Sequence, residues 1–289
     1  MHSSTCLRFA APALAALCLC IGACSDSNDK LPGTEKNAGP NTPGMLLIAA
    51  GEFAMGSDAP DSNRDEKPAH TVFISAFYID RCEVTNAEYR RFVLATGHTP
   101  PRVEADWAEP YNWIGSDYPP GTDMDPVVLV SWHDAAAFAA WNGKRLPTEA
   151  EWEKAARAGM AGRTFPYGDI LELNQANYFK SYLRSKKLRP KGSFEPNALG
   201  LYDMAGNAWE WCHDWYGPGY YRKSAASNPT GPAHGEYKVF RGGSWRDDVK
   251  FLRCAQRGKN SPDYKSPTLG FRCVRSADQP ETRNAESDG

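Results

Sequence analysis

The sequence has little charge to spare. Lys and Arg number 33 against 35 Asp and Glu, a formal net charge of −2, so it carries no electrostatic footprint for nucleic acid or acidic lipid. It has no Cys-x-x-Cys pair, which leaves a zinc ribbon or a thioredoxin-type motif without support. Its 6 histidines are scattered, none in His-Glu-x-x-His spacing, and this argues against a histidine-built metal centre. No period repeats along the chain, which excludes a solenoid or propeller. Helical patterning fades beyond Gly159. What the chain does have is turns and rings: Gly 25, Pro 22 and Trp 9, with aromatics at 12%. That composition points to a loop-rich domain held by buried aromatic side chains.

Only one apolar run stands out, Phe9 to Leu19, rich in Ala and Leu and preceded by Arg8. It is short for a membrane span and is followed by small residues, as in a secretory signal over residues 1–23. Ile21-Gly22-Ala23-Cys24 resembles the bacterial lipoprotein box, which implies that Cys24 is lipidated and becomes the new N-terminus. The alternative is an ordinary signal with a chance cysteine. Residues 24–43 are polar and rich in Gly, Pro, Asn, Asp and Ser, which suits a flexible tether with a reach of roughly 25 Å. Ser25 resembles the sorting pattern for an outer membrane, where the cell has one. The expected location is therefore the cell envelope, exported and lipid-anchored. The polar tail, residues 277–289, is expected to be disordered.

Cys82, Cys212, Cys254 and Cys273 remain once the signal and Cys24 are set aside. In an oxidising compartment four cysteines allow three pairings, and the sequence does not choose among them. Residues 44–276 read as one mixed domain. "MLLIAAGEFAMGS" suggests two short strands around Gly51, and "HTVFISAFYID" one strand or a tight hairpin. Three helix starts follow one rule: Thr85 with Glu88, Ser131 with Asp134, and Thr148 with Glu151, closed by Gly97, Gly143 and Gly159. Trp152, Ala155 and Ala156 share one face of the third helix, so Trp152 is expected in the core.

Eight stretches in this order resemble the formylglycine-generating enzyme, or sulfatase-modifying factor, family. They are "MLLIAAGEFAMGS", "YIDRCEVTNAEYRRFV", "PVVLVSWHDAAAFAAWNGKRLPTEAEWEKAAR", "FPYGD", "LGLYDMAGNAWEWCHDWY", "FRGGSW", "RCAQR" and "LGFRCV". The resemblance implies an α+β fold of the sulfatase-modifying-factor type, C-type-lectin-like and low in regular secondary structure. The family's catalysts oxidise a cysteine of a sulfatase peptide to formylglycine with oxygen and copper.

Asp203 and Glu210 bracket a Gly-Asn turn, and carboxylates flanking a tight loop suit a hard cation such as calcium. The family has a calcium site here, and the matching positions are Asp203 and Glu210 by side chain and Gly206 and Ala208 by carbonyl. The competing reading has Glu210 merely closing the turn. A second family calcium site begins at a motif matching Asn177 and Tyr178, but its later acidic ligand falls in the basic "KSYLRSKKLRPKG". Calcium is expected as a structural ion.

Copper is not expected. The catalysts hold Cu(I) between two thiolates after "RGGS", because the soft ion prefers sulfur. Here that segment runs Arg246 to Leu252 without a cysteine, and Asp247 stands near the first thiol position. In a strand, Asp247 and Asp248 would point to opposite faces. Ser244, Trp209 and Trp245 are expected to line the pocket, and Arg241 and Arg253 to be structural ion-pair partners. In the family, Cys254 and Cys273 pair with helix cysteines whose places hold Ala139 and Ala156 here.

Two readings of function follow. One is a diverged enzyme that modifies a peptide, with Asp247, Asp248 and His213 as acid–base or hard-metal candidates. The other is a lectin-like module that captures a peptide, protein or glycan ligand at the membrane to which Cys24 anchors it. Formylglycine formation itself comes third.

Overall fold

The computed structural model describes residues 44–179 and 187–278. The proposed signal, Cys24, the tether and most of the tail lie outside the described residues, as does the stretch 180–186. In chain order the strands are β1 (Met45–Ile48), β2 (Gly51–Met55), β3 (His70–Ile74), β4 (Phe77–Asp80), β5 (Trp209–Trp215), β6 (Lys238–Arg241), β7 (Gly258–Asn260), β8 (Leu269–Gly270) and β9 (Val274–Ser276). The helices are α1 (Asn86–Thr96), α2 (Trp132–Trp141) and α3 (Glu149–Arg157). Short 3-10 turns and loops connect them, giving the mixed α+β fold, low in regular structure, that the family resemblance implied.

All three capping boxes form as the sequence dictates. Thr85 accepts from the Glu88 amide, Ser131 from Asp134 and Thr148 from Glu151, and each acid returns the bond to its cap. Gly97 ends α1 in the left-handed conformation. The other two stops differ from expectation by one residue. Asn142 caps α2 ahead of Gly143, and Ala158 itself takes the left-handed cap of α3 at φ 49°, ahead of Gly159.

"HTVFISAFYID" forms two strands but no hairpin. β3 pairs with β2, whereas β4 lies between β1 and β9 in another sheet. The reason is visible at the junction: Asn228 holds the Ser75 amide at 2.8 Å and Ala226 accepts from Phe73 at 2.8 Å. The chain is pinned straight there instead of turning back.

The sheet that positions the site has the order β7-β6-β5-β8. Side chains alternate across it. Trp209, Trp211 and Phe240 join one core cluster with Tyr89, Phe92 and Phe138 of α1 and α2. Cys212 and Val239 join the other, with Trp152, Ala155 and Ala156 of α3.

A buried ion network ties α3 to this sheet. Arg241 donates to Glu149 at 2.8 Å and to Glu153 at 2.5 Å. Arg257 also reaches Glu149, Arg157 reaches Glu153, and Arg253 pairs with Glu66. Arg241 and Arg253 are thus structural, as the sequence suggested. "RLPTEAEWE" keeps its acids for this framework, since burying so many charges requires each to be paired.

Candidate functional site

After β6 the chain enters the "RGGS" turn through Gly242 and Gly243, at φ 100° and 76°. A Cβ on Gly243 would come within 2.8 Å of the Leu252 side chain and 2.9 Å of the Phe251 carbonyl, so no side chain fits. The turn closes where the Asp247 amide donates to the Ser244 carbonyl at 3.1 Å. It aims the Asp247 carboxylate at the start of β5.

Asp247 is the centre of the site. Its Oδ2 accepts from the Trp209 indole at 2.8 Å and from the Ser244 hydroxyl in a short hydrogen bond. Trp209 is in turn braced edge-on by Phe240, with ring centroids 5.1 Å apart. Both donors converge on one oxygen, which fixes the carboxylate's orientation. Ser244 is fully buried and Asp247 half-buried. Asp248 turns away and caps a 3-10 turn by accepting from the Val249 amide at 2.8 Å. The segment is a turn rather than a strand, but the two aspartates still diverge. Trp245 packs in a separate cluster with Ala108, Val128, Leu129 and Leu188, and the Arg246 guanidinium covers it 4.8 Å from the ring centre.

His213 does not join them. It lies four residues down β5 from Trp209, roughly 13 Å away at strand rise, and its ring sits near Trp132. Burial, with Lys238 and Arg145 nearby, lowers its pKa. The acid–base trio expected from sequence, Asp247, Asp248 and His213, is therefore not assembled. A strand carries His213 away from the pocket, and a cap occupies Asp248.

The donor set does not fit copper. Around Asp247 the site offers a carboxylate, a hydroxyl and an indole N–H, and none is a soft ligand. The four thiols are unpaired. Cys212, Cys254 and Cys273 are buried in the two core clusters. Burial pushes the Cys254 and Cys82 thiols up to about 12 and raises Cys212 and Cys273 well above the usual range. Thiolate, the form that binds metal, is thereby disfavoured at every one of them.

The calcium loop is rearranged relative to expectation. Glu210 is fully buried, and both of its oxygens face Arg272, while the Trp152 indole donates to one of them at 2.7 Å. Its carboxylate is committed to the core rather than offered to an ion, because buried Arg272 needs a counter-charge. Asp203 does face an acid, but that acid is Glu83, which the sequence reading missed. Burial and the charge of Asp203 raise Glu83 well above the usual carboxylate range. Burial raises Asp203 to about 6.

Glu83 Oε1 accepts from Asn207 at 3.0 Å, while its buried Oε2 takes no hydrogen bond from a donor among the described residues. Asn207 also accepts from Asn177, whose own Oδ1 is another buried oxygen without a partner. The loop is closed by Gly206, where a Cβ would meet the Asn177 carbonyl at 2.3 Å. Tyr178 beside it is buried. No cluster of three or more His, Cys, Asp or Glu poised for a metal exists among the described residues. Glu83 and Asp203 are oxygen donors, which suit a hard cation rather than a soft one. The basic stretch 180–192, where the second site's acidic ligand would fall, lies in part (180–186) outside the described residues.

A second residue invisible to sequence reading is Lys238. Its Nζ lies 3.9 Å from the Trp132 ring centre and 4.0 Å from that of Trp215, and donates to the His213 carbonyl at 2.8 Å. Strand pairing brings Trp215 and Lys238 opposite each other.

Comparison with known proteins gives this geometry its context. The Sulfatase-modifying factor enzyme 1-like domain matches residues 30–277. The chain belongs to this family. It is 38% identical over 287 residues to the formylglycine-generating enzyme of Streptomyces coelicolor, covering 82% of this chain and 91% of that one. It is 40% identical over 246 residues to the serine/threonine-protein kinase pkn1 of Chlamydia pneumoniae, covering 80% of this chain. The chain spans only 38% of that kinase's length, so a family domain also occurs inside a larger protein. Among solved structures, PvdO from Pseudomonas aeruginosa superimposes with a TM-score of 0.69 at 30% identity, over 80% of this chain and 94% of that one. The family domain therefore accounts for nearly all of the described residues.

Proposed function

We propose that this sulfatase-modifying-factor domain recognises a peptide or protein partner at the Asp247 pocket and has left copper–thiolate oxidation behind. The observation that carries this reading is the replacement of sulfur by the Ser244–Asp247–Trp209 arrangement at the position after "RGGS". A site built around one oriented carboxylate binds by hydrogen bonding and charge, and holds no soft metal. Glu83 and Asp203 support a structural calcium in this reading, because the ion would add positive charge to a buried acid pair whose one nearby cation, Arg272, is committed to Glu210. The sequence of residues 21–24 supports export and lipidation at Cys24, which would present the domain at the cell envelope.

The test incubates the purified full chain with copper, oxygen and a cysteine-containing sulfatase peptide, and follows the peptide's mass. No formylglycine product is expected. Turnover comparable to that of the Streptomyces enzyme assayed alongside would overturn the reading. Labelling with an alkyne fatty acid checks the anchor, and the label should vanish in Cys24→Ser.

A further inference from the structure

We infer that the ligand group seated at Asp247 is an organic cation carrying N–H donors, an alkylammonium or guanidinium side chain. This deepens the reading that the Asp247 pocket is a recognition site and rests on it.

Three observations carry it. First, the carboxylate is oriented from one side only. Trp209 Nε1 and Ser244 Oγ both donate to Oδ2, and no hydrogen bond among the described residues reaches Oδ1. An ionised carboxylate accepts at both oxygens, so one half of its capacity faces outward.

Second, no cation among the described residues pairs with Asp247, although cations stand close in sequence. Arg246 is stacked over Trp245, and Lys250 lies over the Phe251 ring. Five buried acids of this fold are matched to arginine: Glu66, Glu149, Glu151, Glu153 and Glu210 all form such pairs. Asp247 is half-buried and held in place, yet no cation of the described residues pairs with it.

Third, the groups around it suit an organic cation better than a metal ion. The indole N–H has no lone pair to give a metal, which leaves only the Ser244 hydroxyl and the carboxylate as oxygen donors. A metal would then have one carboxylate and one hydroxyl, far short of the six or so oxygens that a hard cation requires. The Trp209 ring is buried and braced by Phe240, so its indole holds the carboxylate in a fixed orientation for a cation to meet.

The test uses the full chain in detergent and an acetylated, amidated Gly-Lys-Gly peptide. Versions with arginine, trimethyl-lysine or norleucine at the centre complete the set. Binding is read by calorimetry and by the Trp209 indole N–H resonance. The lysine or arginine peptide is expected to bind, and norleucine to bind at least about tenfold more weakly, the worth of a charge-assisted hydrogen bond. Trimethyl-lysine, which keeps the charge but lacks N–H donors, should also be weaker. Asp247→Asn retains an oxygen for Trp209 and Ser244, and it should lose the preference for the cation. Trp209→Phe frees the carboxylate and should weaken binding while preserving the ring.

Equal affinity for norleucine and lysine peptides overturns the inference. So does undiminished cation binding by Asp247→Asn, or no binding of either cation at millimolar concentration. These outcomes leave the recognition reading standing, because only oxidase turnover in the copper assay overturns that.

Discussion

Glu210 and Arg272 form a two-point ion pair in the core: Nε donates to one carboxylate oxygen and Nη2 to the other, both at 2.7 Å. Neither side chain is exposed. The pair joins β5 to the segment between β8 and β9, and Arg272 goes on to bond the Tyr202 carbonyl at 2.8 Å. An acid that the sequence marks as an ion ligand is thus a structural anchor.

Glu210→Gln is expected to destabilise the fold by about 3–5 kcal/mol, since it leaves Arg272 buried without its counter-charge. The loss should be nearly the same with calcium or chelator present. Urea unfolding in both conditions checks this. A loss that vanishes in chelator would return Glu210 to the ion.

Calcium dependence should instead follow Glu83 and Asp203. Added calcium is expected to raise the melting temperature of the parent chain, by the equivalent of about 2.7 kcal/mol at a hundredfold excess over Kd. Glu83→Gln should abolish most of that rise. Scanning calorimetry with calcium and with chelator measures both, and a parent chain indifferent to calcium would remove the site.

Gly206→Ala should cost more than about 1 kcal/mol, because the backbone there is left-handed and the new methyl would press on the Asn177 carbonyl. Gly219→Ala, where nothing lies within 4 Å of the added carbon, is the control. Equal unfolding midpoints for the two variants would show that the loop tolerates the methyl.

Lys238 should titrate early. Burial lowers its pKa to about 8 despite the two tryptophan rings. The folded pKa lies below that of the unfolded chain, so the unfolded state binds more protons between about pH 8 and 10.4. The contribution of Lys238 to stability therefore rises with pH across that window and is least favourable below it. Lysine-selective NMR should find one ammonium with a midpoint near 8. Comparing Lys238→Met with the parent chain should isolate the rising contribution, and a lysine titrating with the rest would refute it.

The reading of function depended on features of very different reach. Each capping box needs two residues three apart, which is why Thr85, Ser131 and Thr148 could be placed from sequence. Trp152 was placed by helical periodicity alone. The missing thiols after "RGGS" were legible as plain composition. The role of Asp247 was not, because it depends on Trp209, 38 residues away, and on a turn whose glycines admit no side chain.

The sequence by itself determined the family, the helix starts, the aromatic core and the lack of sulfur at the pocket, since each is written in residue type or short spacing. Only the tertiary structure decided which acids are ion pairs and which stand alone. Arg272 meets Glu210 across 62 residues, Arg241 meets Glu153 across 88 and Arg253 meets Glu66 across 187. Burial makes such pairing compulsory, but which partner satisfies it is fixed by the path of the folded chain, and that path left Glu83 beside Asp203 and one oxygen of Asp247 without a hydrogen bond from the described residues.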